Sequence, residues 1–156
     1  MTAELQIALW GAATCGPVLL NTATKRSADA LGLSSMILLT WVMGRVLNAL
    51  YTPPESMSLY PVIDMLAGAT VFSAWATRPR WWKLALVALF TAQCALHAAF
   101  WLAWPSPGSL VRYLWVNNSL FALQLICVGA PGGGQLARDT LAWMSRSPWA
   151  RHHARV

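Results

Sequence analysis

Apolar residues fall into five long blocks along this chain, at about 3–22, 31–50, 61–77, 83–104 and 110–130. A helix rises 1.5 Å per residue, so about 20 mostly apolar residues cross a bilayer core. The blocks predict an all-α, polytopic membrane bundle of five transmembrane helices. Polar, proline-rich segments punctuate them. Lys25-Arg26 closes the first block, in which Gly16-Pro17 predicts a kink. Pro53-Pro54 marks a loop over 51–60 that continues neither neighbouring helix. Pro61 suits the first turn of the third helix, which is short and so predicted either to stand nearly upright or to take in part of a flanking loop. Arg78-Pro79-Arg80 predicts a tight turn, and Pro105-Ser106-Pro107-Gly108 another. Pro131-Gly132-Gly133-Gly134 predicts a break before a basic tail, 131–156.

Composition supports this pattern. Of 156 residues, 57% are hydrophobic and 10% charged, where a soluble domain carries about 25% charged. The spans leave no room for a soluble domain, so any function belongs to the membrane, its faces or the tail. Charge then orients the bundle. Lys25, Arg26, Arg78, Arg80, Lys83, Arg138, Arg146, Arg151 and Arg155 fall on one side, whereas 52–58 and 105–109 hold no Lys or Arg. Basic residues of short loops stay cytoplasmic, which places the N-terminus outside and the C-terminus in the cytoplasm of an inner membrane. Aromatic residues agree with the map: Tyr51, Tyr60, Trp101, Trp104, Tyr113 and Trp115 fall at the outer boundary, and Trp75, Trp81 and Trp82 at the inner one.

The net charge of +6 is accounted for by orientation and by attraction to anionic headgroups, about 1 kcal/mol per basic residue near the surface. The basic residues are not interleaved with aromatics on a soluble scaffold, so no nucleic-acid partner is expected. The N-terminus lacks the basic region of a secretory signal, so the first block reads as a retained span. Cys15, Cys94 and Cys127 are isolated and fit neither a disulfide framework nor a zinc pattern; they read as apolar fillers.

Ionisable groups inside spans are costly, roughly 2.5–3.5 kcal/mol at the centre of a helix. The map places Arg45 and Asp64 there, with Arg112 close to an end. Both lie in the outer half of adjacent antiparallel helices, which predicts an Arg45–Asp64 pair. Asn48, His97 and Asn117 lie at similar depth. Gln93 and His97 share a helix face, as do Tyr113 and Asn117. Arg45, Asn48, Asp64, His97 and Asn117 therefore form the candidate intramembrane site. It reads either as interhelical glue or as a proton or ion route. With one histidine in a span, a bis-histidine haem is not available, and no cofactor or metal is expected.

The tail predicts an amphipathic surface helix, with Leu136, Leu141, Trp143 and Met144 toward lipid and Arg138 and Arg146 toward water. Arg138, Arg146, Arg151 and Arg155 are its candidate lipid-binding residues. No nucleophile elbow, phosphate loop or zinc-protease motif occurs, so no catalytic residues are assigned and no enzyme is expected.

The strings Tyr60-Pro61-Val62-Ile63-Asp64, Ala95-Leu96-His97-Ala98-Ala99-Phe100-Trp101 and Asn118-Ser119-Leu120-Phe121-Ala122-Leu123-Gln124 resemble segments of small membrane proteins of tailed phages and proteobacterial prophages. The resemblance implies a holin-like or envelope-modifying protein and carries no catalytic residues. Three functions follow as expectations. The first is a non-enzymatic inner-membrane protein acting by assembly or contacts within the bilayer, by self-association or with another membrane protein. The second is a small proton or ion carrier or channel subunit using the polar cluster. The third is a scaffold for another membrane protein.

Overall fold

The computed structural model describes residues 3–24, 28–51, 55–102 and 107–146. All five predicted helices are present: α1 (Ala3–Ala23), α2 (Ala28–Leu50), α3 (Glu55–Thr77), α4 (Trp81–Leu102) and α5 (Pro107–Arg146). Among the described residues, four regions are long and apolar enough to cross a membrane: Ala28–Leu50, Ser58–Thr77, Trp81–Leu102 and Ser109–Met144. The first helix is not among them. It spans 21 residues, but Glu4, Gln6, Thr14, Asn21 and Thr22 dilute its hydropathy.

Neighbours in sequence pack as neighbours in space, and α5 returns to α1 to close a ring, with α2 also touching α5 across it. Pairwise contacts fix the register. Trp10 meets Phe121 at 5.7 Å between ring centroids, and Asn21 donates to the Val128 carbonyl, so α1 and α5 run the same way. The arginine-bearing turn 78–80, the start of α2 and the lower half of α5 gather at one end, called here the basic end. Tyr60, Asn48 and Tyr113 lie toward the far end.

The bundle is apolar outside and mixed inside. Leu19, Leu39, Met65, Leu66, Leu102 and Ile126 are exposed, while Thr14, Asn21, Ser34, Lys83, Gln93, His97 and Gln124 are buried. An apolar layer of Leu33, Ile37, Val71, Leu86, Phe90, Leu125 and Val128 separates the two ends. Outward hydroxyls are absorbed locally: Thr22, Thr70, Thr91, Ser119 and Thr140 each donate to the carbonyl four residues back. A hydroxyl that returns its proton to its own helix needs no water.

Several element boundaries differ from expectation. Helix α3 begins at Glu55, six residues before Pro61, so Pro61 lies inside it and the helix is a full 23 residues. Proline there removes one hydrogen bond, early enough for the helix to form around it. Helix α1 keeps Gly16-Pro17, the expected kink position, within its 21 residues. Helix α5 does not break at Pro131-Gly132-Gly133-Gly134 but continues for 40 residues. Each glycine costs roughly 1 kcal/mol of helix propensity. Packing against α1 offsets this: Pro17 sits against Gly129, and Leu20 and Asn21 against Gly132. A side chain at Gly132 would bring its Cβ within 2.8 Å of Asn21 Oδ1 and 2.9 Å of Leu20 Cγ. The expected tail therefore begins as the lower part of α5. Leu136, Leu141, Trp143 and Met144 are exposed, Arg146 ends the helix, and Arg151 and Arg155 lie outside the described residues. The turn residues Lys25 and Arg26 also lie outside them.

Lys83 is the largest departure. Read from sequence as a charge beside the inner turn, it lies in the first turn of α4 with its side chain only 1% exposed. Its ammonium donates to Asp29 Oδ2 at 2.7 Å, to the Ala74 carbonyl at 2.7 Å and to the Arg78 carbonyl at 3.1 Å. Three acceptors match the three donors of a lysine. One side chain thus joins the start of α2, the end of α3 and the start of α4. Asp29 has no role in the sequence reading, because it sits one residue inside the helix, where an exposed N-terminal acid is ordinary.

Candidate functional site

The far half of the bundle holds a polar network built from three helices. Asp64 on α3 is its centre. Its Oδ2 accepts from Gln93 Nε2 at 2.7 Å and from His97 Nε2 at 2.7 Å. Gln93 and His97 stand four apart on α4, one turn of the same face, so a single carboxylate oxygen reaches both. Gln93 also donates to Asn117 Oδ1 at 3.2 Å, and its Oε1 accepts from Gln124 Nε2 at 2.6 Å. Its two donors and one acceptor are therefore all used. On the other side, His97 Nδ1 lies 2.8 Å from the Tyr113 hydroxyl. The Tyr113 ring is held by Phe100, with centroids 4.4 Å apart.

This geometry admits two protonation states. With a neutral imidazole carrying its proton on Nε2, His97 donates to Asp64 and accepts from the Tyr113 hydroxyl. With a doubly protonated imidazole, Nε2 still donates to Asp64, and Nδ1 donates to the Tyr113 oxygen after the hydroxyl rotates. Both ring nitrogens of His97 keep a partner in either state.

Asp64 is 14% exposed, and what it faces is a cavity. A partly open space of about 350 Å³ is bounded by Trp10, Trp41, Arg45, Asn48, Asp64 and Asn117, with Tyr60, Gln93, Asn118 and Phe121 completing much of the wall. Gly44 and Gly11 let the aromatic walls approach: Tyr60 lies 3.5 Å from where a Cβ on Gly44 would stand, and Trp41 3.3 Å from one on Gly11.

Of the five candidate residues, the structure unites Asp64, His97 and Asn117 in one network, the last through Gln93. Asn48 lies on the same cavity but serves another partner, accepting from the Tyr60 hydroxyl at 2.6 Å. The expected Arg45–Asp64 pair does not form. Among the described residues Lys83 pairs with Asp29 and His97 meets Asp64, an ion pair only when the imidazole is doubly protonated, and Arg45 is exposed on the cavity wall. The physical reason is competition: two donors from α4 saturate the Asp64 oxygen that faces the interior. Tyr113, read as a boundary aromatic, is 4% exposed and belongs to the network. Gln124 is a member that the sequence reading does not single out. Its seven-residue spacing from Asn117, two helical turns, is the signal that it shares that residue's face. Cys94 and Cys127 are half-buried free thiols outside the network, as is Cys15.

Asp64, His97 and Tyr113 form a line, but Tyr113 is enclosed and faces no cavity on the Asp64 side. Among the described residues, no three metal-ligating side chains come together.

No protein-family model, curated protein or solved structure matches this chain.

Proposed function

We propose that this is a multi-pass inner-membrane protein, N-terminus outside and C-terminus cytoplasmic, that binds and passes a proton at Asp64 as a small carrier or channel subunit. The observation that carries this reading is the Asp64 carboxylate itself. It stands inside the bundle, tied on one oxygen to His97 and Gln93, and forms part of the wall of a 350 Å³ cavity. An ionisable residue at such depth is retained at a cost, and its usual roles are substrate binding and proton relay. Membrane residence is supported by four sufficiently long apolar helices, by an apolar exterior and by the inward turn of the polar groups.

The cavity chemistry selects the ion. Arg45 shares the wall with Asp64 and repels a metal cation, whereas a proton needs only a basic atom and a partner that can rearrange. The His97–Tyr113 bond supplies that partner. Toward the basic end the route meets the apolar layer of Ile37, Val71, Leu86 and Val128. On this reading the site is loaded from one side, and passage needs that layer to part.

Polar groups turned toward other copies or partners are one means by which a holin-like or scaffold protein assembles in lipid. Here the polar side chains converge inward and the outward hydroxyls are bonded within their helices. This arrangement favours the proton-binding reading over the assembly reading, including its phage-related form.

The test is proton movement in proteoliposomes with an internal pH dye. Wild type dissipates an imposed pH gradient faster than empty vesicles, and Asp64→Asn, which keeps the shape but holds no charge, abolishes the difference. Flux unchanged by Asp64→Asn overturns the site.

A further inference from the structure

A second cavity lies at the basic end, remote from Asp64. It encloses about 620 Å³ between the turn 78–80, the start of α4 and the middle of α5, and is lined by Arg78, Arg80, Trp81, Lys83, Pro131 and Arg138, with Asp29 below. Four cationic side chains thus surround it against one carboxylate. Lys83 is already committed to Asp29 and two carbonyls, so the excess is carried by the three guanidiniums. Among the described residues none of them forms an ion pair.

The three are placed by different parts of the fold. Arg78 and Arg80 flank Pro79 in the turn between α3 and α4. Arg138 comes from α5; its Nη2 donates to Gln135 Oε1 at 3.1 Å, and its Nη1 lies beside Gly134, 3.9 Å from where a Cβ there would stand. Gly134 and Pro131 leave the α5 wall low. The continuity of α5 through its glycine run is what brings Arg138 here at all. The opening turn of α4 lies at the same place, its Lys83 and Leu84 N–H groups donating to the Arg80 carbonyl at 3.1 Å each. Trp81 is 72% exposed at the rim, whereas Trp82 is buried beneath it.

We propose that this cavity binds the phosphate of an anionic membrane lipid. Guanidiniums match phosphate oxygens through paired N–H donors. An exposed indole at the rim suits the headgroup layer of a bilayer, where rings with one apolar and one polar edge concentrate. A free soluble phosphate explains the arginines but not Trp81 and the apolar α5 surface beside them. The inference rests on membrane residence but not on the Asp64 site.

The test uses the full-length protein in nanodiscs. Wild type in phosphatidylcholine alone first establishes membrane insertion, independently of any site. Titration with phosphatidylglycerol, read by native mass spectrometry, should show at least one lipid retained through purification. The triple variant R78Q/R80Q/R138Q should weaken retention by tenfold or more, while R112Q, an arginine on a separate pocket near the start of α5, leaves it unchanged. If the triple variant fails to insert, R78K/R80K serves instead: it keeps the charge, removes the paired donors and should weaken retention by about threefold. Equal loss in R112Q, or retention unchanged in the arginine variants, overturns the proposal. So does thermal stabilisation of wild type by inorganic phosphate with none from phosphatidylglycerol.

Discussion

Lys83 shows how a single side chain changes character with its surroundings. In sequence it is one more positive charge beside a turn. In the fold it is the hub of three helices, because its four-carbon stem reaches past the α4 backbone to the Asp29 carboxylate and to the Ala74 and Arg78 carbonyls. Removing one member of a buried ion pair strands the other, typically at 3–5 kcal/mol. Asp29 is 28% exposed, so water recovers part of that loss. We expect Lys83→Met to destabilise the bundle by about 2–3 kcal/mol, measured by denaturant titration in detergent micelles. Adding Asp29→Asn should restore part of it, since the stranded charge is then gone. Full additivity of the two losses contradicts the pair.

Tyr113 makes a smaller, sharper case at the same scale. Its hydroxyl is the partner of His97 Nδ1, and side-chain hydrogen bonds between helices within membranes average about 0.6 kcal/mol. Tyr113→Phe should therefore cost little stability. It should slow proton flux severalfold, because the doubly protonated imidazole loses the acceptor of its Nδ1–H hydrogen bond. A stability loss with unchanged flux assigns Tyr113 to packing alone.

At the scale of the element, hydrophobic blocks and turn residues locate every helix, because those signals are local. What they misjudge are positions where tertiary contact overrides local preference. Pro131-Gly132-Gly133-Gly134 is a strong helix breaker in isolation, yet α5 passes through it. The lack of side chains is what lets α1 approach, and Gly132 is the point of closest contact. The neighbouring glycines differ, which gives a graded test. Gly132→Ala forces Leu20 and Asn21 aside and should cost about 1–3 kcal/mol. Gly133→Ala, whose Cβ would lie 3.9 Å from Leu20 Cδ2, meets ordinary contact and should gain about 0.5–1 kcal/mol from reduced chain entropy. Thermal melts of the two variants should move in opposite directions. Equal destabilisation indicates that the glycine run serves flexibility rather than approach.

The candidate site is legible to a similar degree. Asp64, His97 and Asn117 stand out in sequence because ionisable and amide groups are rare in such apolar blocks. Their depths follow from helix rise alone. Their partners do not, since rotation about each helix axis decides whether Asp64 meets Arg45 or His97. Only packing of α3 against α4 fixes that rotation. The Lys83–Asp29 clasp is hidden for a related reason: both residues lie near helix ends, where charges are commonplace.

At the scale of the molecule, the arrangement has two polar regions separated by an apolar layer. One is a carboxylate network on a cavity in the far half; the other is the arginine-lined cavity at the basic end. The 40 residues of α5 extend about 60 Å at the rise of an α-helix, twice the roughly 30 Å of a hydrocarbon core. In the proposed membrane setting its lower part emerges from the bilayer and carries Arg138 at the surface. Polarity inside, apolar surface outside and cations at one end form a consistent description of a bundle with lipid as its solvent.

Cysteine accessibility in intact cells tests that description most directly, in a background with Cys15, Cys94 and Cys127 replaced by alanine. A membrane-impermeant maleimide should label N118C, on the cavity wall, from outside. R138C should react only after the cells are opened. L39C, on the exposed face of α2, should stay unlabelled in both conditions, because lipid and not water covers it. Labelling of R138C in intact cells reverses the orientation, and labelling of L39C as fast as N118C contradicts a bundle embedded in the bilayer.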